Sequence, residues 1–374
     1  MLLEFRCANH KSIREEVVFS MLAGSDHTHS EQLLSAGKLQ LLRTALIYGA
    51  NGSGKSNLLD AIETLREWVL GRMPIVRTPH KLAADQPSRY VMQFLCHQVH
   101  YQFSLTLHPD NTIEESLCTY PNGRLHTVYH RIDREISMEK ALRSEIGEYA
   151  DALSAHILLA AHLSTTAEPI LALRRFFGET LVPYHAASPG ERMQRALAIL
   201  RDQPKVKQAV LSLLSSLSTG ICDIHINQGN GELGASVIYP GFSTNLLLEE
   251  STGIRRLIEF LCPLIDMLCD DCVLLCDEPE TNLHEVLLRR LIGNMRIFSA
   301  AHSSQLIFST HSTSLLDLSL FRRDQIWFTE LRPQDRSTDL YSLLEIRDVQ
   351  ANENIRQGYI AGKYGAIPHL DENR

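Results

Sequence analysis

An α/β fold with a mostly parallel sheet, an antiparallel β-meander and an inserted α-helical lobe is predicted by three features of the 374-residue chain. Short apolar runs alternate with helical periodicity in both terminal parts of the sequence, as crossover-linked parallel strands require. Residues 88–132 switch to alternating apolar and polar positions broken by turn signals, the pattern of antiparallel hairpins. Between 133 and 217 glycine nearly vanishes and Leu, Ala, Glu and Arg recur at helical spacing.

Residues 1–20 read as strand, turn and strand, and "QLLRTALIYGANGSGKSNLLDAIETLREWVL" as strand, Gly-rich loop and long helix. "YVMQFLCHQVHYQFSLTL" and "LHTVYHRI", with turns at "HPDN" and "PNG", supply the meander and complete a first unit, 1–132. "EKALRSEIGEYADALSAHILLAAHL" and "PKVKQAVLSLLSSL" read as helices of a compact lobe, 133–217, divided at "HAASPGER". Pro169, Pro183 and Pro189 interrupt it too often for a long coiled coil. From 218 to 374 strands return and then alternate with helices: "STGIRRLIEFLCPLIDML" as helix, "CVLLCDEPE" as strand, "LHEVLLRRLIGNMRIFS" as helix, "QLIFSTHS" and "DQIWFTEL" as strands.

Composition bounds the function. Hydrophobic residues at 44% and charged residues at 21% fit a soluble globular chain with an ample core. No apolar run approaches the roughly 20 residues of a membrane helix, and "MLLEFRCANHKSIREE" lacks a signal peptide's apolar core, so a cytoplasmic location without a membrane partner is expected. A net charge of −8 gives no bulk attraction to nucleic acid, although Arg174/Arg175 and Arg255/Arg256 could form a local basic face. Cys262, Cys269, Cys272 and Cys276 cluster, and "CDDCVLLC" contains a Cys-x-x-Cys. With no second pair or paired His following, they read as small buried residues of a reducing compartment rather than zinc ligands.

"GANGSGKS", residues 49–56, fits the P-loop pattern between the apolar strand "TALIY" and the helix "NLLDAIETL". Gly49, Gly52 and Gly54 let the backbone of Ala50, Asn51 and Ser53 turn tightly, so that amides face a polyphosphate at a helix N-terminus. Lys55 is placed to reach the β/γ-phosphates, Ser56 to coordinate Mg²⁺, and Asn57 follows in the same turn. "VLLCDEPE", residues 273–280, is an apolar strand ending in two acids, at the carboxyl end where a nucleotide crevice lies. Asp277 is the expected Mg²⁺ carboxylate and Glu278 the residue that polarises the attacking water. "STH", 309–311, ends a further apolar strand and puts His311 where a γ-phosphate contact would sit. No Asn/Thr-Lys-x-Asp guanine motif is present, so ATP is the expected nucleotide. "EESTGIRRL", 249–257, is a second helix start with a free hydroxyl, Ser251-Thr252-Gly253.

P-loop, Ser-x-Gly helix, apolar strand with Asp-Glu, loop and strand with His, in that order, resemble the ABC-type P-loop ATPase head, the group that includes the SMC proteins and RecF. The resemblance implies that Ser251, Thr252 and Gly253 act in trans, capping the γ-phosphate bound by a second copy, so that ATP joins two heads in an isologous homodimer. It implies a D-loop in "PETNLH", with Glu280 and Asn282 beside that junction. It also implies a Q-loop glutamine near the metal, for which Gln93 is the choice and Gln98 and Gln102 are rivals. "EFRCANHKSI" resembles the start shared by these heads, which brings Asn9, Lys11 and Ser12 toward the nucleotide, with His10 standing where an aromatic residue is usual. The end, "GYIAGKYGAIP" at 358–368, is similar to that of the RloA/AbiL-like ATPases of bacterial abortive-infection and other phage-defence loci, with Lys363 where Arg is frequent. The likeness covers about three-quarters of the chain and is weakest in the helical lobe.

Members of such loci imply an ATPase that controls a separately encoded effector, a nuclease or toxin; the sequence after His311 shows no TOPRIM or His-Asn-His pattern of its own. Two other functions fit the same motifs: a RecF-type DNA-maintenance ATPase, which would need a basic face, and a scaffold that assembles on ATP and hydrolyses it little.

Overall fold

The structure is a computed structural model, and it describes residues 1–152, 158–162, 166–184, 189–229, 232–268, 270–279, 286, 288–290, 292–293, 303–350 and 353–367. In chain order the first strands are β1 (Leu2–Ala8), β2 (Val17–Ser20), β3 (Leu33–Ala36), β4 (Leu39–Leu42) and β5 (Thr44–Gly49), followed by helix α1 (Lys55–Val69). The meander is β6 (Ser88–Cys96), β7 (Val99–Leu107), β8 (Ile113–Thr119), β9 (His126–Ile132) and β10 (Glu135–Met138). Then come α2 (Lys140–Ala152), α3 (Leu159–His162), α4 (Glu168–Arg175), β11 (Leu181–Tyr184), α5 (Pro189–Asp202) and α6 (Pro204–Ser216). The last part holds β12 (Asp223–Gly229), β13 (Glu232–Tyr239), β14 (Phe242–Asn245), α7 (Thr252–Leu268), β15 (Val273–Cys276), β16 (Gln305–Ser309), β17 (Ile326–Leu331), β18 (Thr338–Ser342) and α8 (Ile355–Ile360).

Two sheets organise the molecule. A six-stranded sheet runs β11-β15-β16-β5-β17-β18, parallel except for the last pair. A seven-stranded antiparallel sheet runs β10-β9-β8-β7-β6-β1-β2, so the N-terminal hairpin extends the meander. In β6 and β7 the alternation works as written: Tyr90, Met92 and Phe94 oppose Leu105, Phe103 and Tyr101, stacking one apolar face.

The parallel sheet is buried on both faces, which is why its strands read as unbroken apolar runs. Ala45, Ile47, Val273, Leu275, Ile307 and Trp327 face the core shared with α1 and the meander. The alternate residues Leu46, Tyr48, Leu274, Cys276, Leu306, Phe308 and Phe328 face a second core filled by α5, α6 and α7. Helix α1 buries Leu58, Leu59, Ile62, Leu65, Trp68 and Val69, the i/i+3/i+4 stripe that a one-sided helix requires. Gln305, fully buried, ties the two sheets: its Oε1 accepts the Leu2 N–H at 2.7 Å and its Nε2 donates to Leu2 O and Leu42 O.

The 133–217 span is helical over much of its length but contributes to both cores. Leu142, Ile146, Ile170, Leu173, Phe176 and Phe177 join the meander side, whereas Leu197, Leu200, Val210 and Leu214 join the other. Strand β11 lies between these two groups in the chain and forms the edge of the parallel sheet beside β15. Cys262, Cys272 and Cys276 are buried thiols, and Cys269 lies outside the described residues. Among the described residues no helix is long and apolar enough to cross a membrane.

Candidate functional site: a phosphate cradle facing an acid–histidine pair

Strand β16 lies between β5 and β15, so three carboxyl-terminal strand ends converge at one edge of the sheet. β5 delivers the 49–54 loop, β15 delivers Asp277 and Glu278, and β16 delivers Ser309 and His311.

The loop is shaped by steric demand. Gly54 caps α1 at φ +112°, and a Cβ there would stand 2.1 Å from Thr338 Oγ1. A Cβ on Gly49 would lie 2.4 Å from both Ser53 Oγ and Thr329 Oγ1. A chain of buried and half-buried hydroxyls supports the loop. Asn57 Nδ2 donates to Ser12 Oγ at 2.6 Å, Ser12 meets Thr338 Oγ1 at 2.7 Å, and Thr338 donates to Ser53 O at 2.8 Å. Ser53 Oγ meets Thr329 Oγ1 at 2.6 Å, and Thr329 donates to Tyr48 O. The motifs of the sequence mark Ser12, Ser53 and Asn57 but not Thr329 or Thr338. These two lie some 285 residues beyond the loop, and no local pattern marks them.

Above the loop is a cavity of about 660 Å³ lined by Asn51, Gly52, Gly54, Lys55, Ser56, Asn57, Glu278 and His311. Lys55 is buried and its ammonium donates to Gly49 O at 2.9 Å and Ala50 O at 3.2 Å. Opposite, His311 Nε2 and Glu278 Oε1 are 2.9 Å apart. Glu278 sits at φ +47°, and its N–H donates to Ser309 Oγ at 3.0 Å; the same hydroxyl donates to Asp277 Oδ1. The cavity therefore carries helix-end amides and an ammonium on one wall and a carboxylate–imidazole pair on the other. The first wall can hold an anion, and the second can take a proton from water. Ser56 and Asp277, both exposed, are oxygen donors of the kind Mg²⁺ takes.

A second cavity of about 690 Å³ adjoins it through Asn51 and His311. The C-terminal motif forms one wall with Tyr359, Ala366 and Ile367. Tyr359 packs on Phe328 and on Tyr48 of the loop-bearing strand, and its hydroxyl donates to Ala366 O at 3.0 Å.

The remaining predicted residues lie elsewhere. Asn9, at φ +56°, pins the 80–87 loop: it accepts from His80 N–H and donates to Ala83 O and Gln86 O, each at 2.8 Å. Lys11 pairs with Asp60 of α1 at 2.6 Å. His10 is fully buried, packs edge-on against Tyr90 and reaches the same Asp60 at 2.8 Å, so it occupies its position as a ring. Gln93 lies within the meander, donating to Glu4 Oε1 and bonded to His100, and lines neither cavity. Ser251 caps α7, accepting the Ile254 N–H at 3.2 Å; with Thr252 and Gly253 it is exposed and lines neither cavity. Glu280 and Asn282 lie outside the described residues.

A family model described as "AAA domain, putative AbiEii toxin, Type IV TA system" matches residues 45–156 and 224–317, more than half of the chain. The matched segments contain the Gly-rich loop, the acidic pair and His311. No curated protein matches the chain. Among solved structures, an SMC head bound to the C-terminal winged-helix domain of ScpA is 17% identical, with a TM-score of 0.49 over 91% of this chain and 97% of that one. The SMC head domain from Thermotoga maritima is 15% identical, with a TM-score of 0.45 over 91% and 98%. An SMC head with an extended coiled coil, bound to the C-terminal domain of ScpA derived from Pyrococcus furiosus, is 15% identical, with a TM-score of 0.46 over 91% and 96%.

Proposed function

Because the chain belongs to this AAA-domain family of P-loop ATPase type, we propose that it is an ATP-driven switch. It would dimerise around ATP, hydrolyse it slowly and control a separately encoded nuclease or toxin in defence against phage. The observation that carries this reading is the meeting of the P-loop with Glu278 and His311 across one cavity.

In this reading Lys55 exchanges the carbonyls of Gly49 and Ala50 for phosphate oxygens, and the α1 amides hold the same phosphates. Ser56 and Asp277 would hold Mg²⁺, which would offset part of the polyphosphate charge. Glu278 takes the proton of the attacking water, oriented by His311. Ser251 caps an exposed helix end that lines neither cavity of its own chain, which supports a role over the nucleotide of a second copy. ATP then favours the closed pair by as much as it binds that pair more tightly.

The test is native mass spectrometry of Glu278→Gln, co-expressed with its neighbouring genes, with and without ATP. The substitution keeps the binding surface and removes the base. The expected result is an ATP-dependent dimer carrying a second protein, and Lys55→Ala should lose both. A chain that stays monomeric and alone with ATP overturns the trans assignment and moves a DNA-maintenance role forward, to be tested with DNA added. The family description favours one second reading, that the chain is itself toxic. Growth arrest on expressing it without its neighbours would select that reading.

A further inference from the structure

We propose that Ser309 is a positioning residue for the two acids, one hydroxyl that fixes Asp277 by its carboxylate and Glu278 by its backbone. The proposal rests on the ATPase reading above and deepens it. Ser309 ends β16 and is fully buried. A hydroxyl has one proton to give, a carboxylate only accepts, and an amide N–H only donates. The two bonds therefore have fixed senses: Ser309 donates to Asp277 Oδ1 and accepts from Glu278 N–H.

The surrounding geometry makes this more than a satisfied strand end. Glu278 occupies the left-handed region at φ +47°, where a residue with a side chain rarely sits, and its N–H is held by Ser309. Two residues further on, His311 takes the Glu278 carboxylate. One strand terminus thus grips Glu278 at both ends. Thr310, between them, accepts the Ser312 N–H at 3.0 Å through its Oγ1. Because β16 also pairs with the P-loop strand through Ser309 and Ile47, the hydroxyl sets both acids relative to the phosphate cradle.

The test is a double-mutant cycle of Ser309→Ala with Glu278→Gln, read by steady-state ATP hydrolysis, and by Mn²⁺ affinity in the complex with a non-hydrolysable ATP analogue, followed by electron paramagnetic resonance. Ser309→Ala is expected to lower kcat by about 10- to 100-fold, as loss of a group that orients catalytic ligands does. KM should hold, and the thermal midpoint should fall by only the few degrees that the loss of one buried hydroxyl costs. In the Glu278→Gln background the same change should cost less, because the share of the loss that runs through the Glu278 carboxylate is already gone and only the share that runs through Asp277 remains. Mn²⁺ affinity should fall by roughly tenfold, and Ser309→Thr, which keeps the hydroxyl, should restore both readouts. Equal losses in the two backgrounds, a kcat unchanged by Ser309→Ala, or an unchanged Mn²⁺ affinity would overturn the proposal. A wild-type chain without turnover sinks the ATPase reading instead, and the Mn²⁺ affinity then decides the role of Ser309.

Discussion

Gly54 shows how little freedom single residues of the cradle have. Its φ of +112° excludes side chains on backbone grounds, and Thr338 occupies the space that a methyl group would need. The expected cost of Gly54→Ala is about 2 kcal/mol or more, from left-handed strain plus displacement of a buried hydroxyl network. Urea denaturation of the nucleotide-free chain measures it. An unchanged midpoint would mean that the loop shifts without loss. Thr338 also bonds Ser12 and Ser53 O, so nucleotide affinity should fall in the same variant.

Among the elements, the meander carries a buried charge pair with a pH signature. Glu115 of β8 and Arg131 of β9 are both fully buried, 3.3 Å apart, and Glu115 also accepts the N–H of Leu159 at the start of α3. Burial raises the Glu115 carboxyl from 4.5 to about 7, against the Leu159 amide and Arg131, which lower it. Between those two values the folded chain keeps a proton that the unfolded chain has released. Stability therefore falls as pH rises from about 4.5 to about 7 and levels off above. Glu115→Gln keeps an acceptor for Leu159 and removes the titration. Its stability relative to wild type should climb across that window, in urea midpoints taken at unit steps of pH. A constant difference would show that Glu115 keeps the same protonation in both states. The same element-level logic explains the N-terminal turn: Asn9, His10 and Lys11 are taken up in holding the 80–87 loop and α1.

At the scale of the whole molecule, one mostly parallel sheet divides two cores and ends at two adjoining cavities. If each nucleotide needs a P-loop from one copy and Ser251 from the other, two crippled chains can repair one another. Ser251→Arg and Lys55→Ala should each be inactive alone. Mixed, a heterodimer contains one composite site with an intact Lys55 and an intact Ser251, and hydrolysis should reappear. Activity that fails to return on mixing, with both variants folded, would place the signature and the P-loop in the same copy. ATP at a hundred times its Kd should also stabilise wild type and Glu278→Gln by about 2.7 kcal/mol, and Lys55→Ala not at all.

The parts of the candidate site are marked in the sequence itself. "GANGSGKS" between an apolar strand and a helix, "VLLCDEPE" and "QLIFSTH" are patterns set within about ten residues by backbone geometry and burial. The meander was equally legible, because a period of two survives in any strand with one buried face. The tertiary structure alone decided what these parts touch. It put β16 between β5 and β15, brought His311 to Glu278, and set Thr329 and Thr338 beneath a loop some 285 residues away in sequence. It also took Asn9 to the 80–87 loop and Gln93 into the meander, and it shared the helices of 133–217 between two cores. A hydroxyl's partner depends on which strands close against each other, and chain closure over hundreds of residues leaves no local periodicity from which to read it.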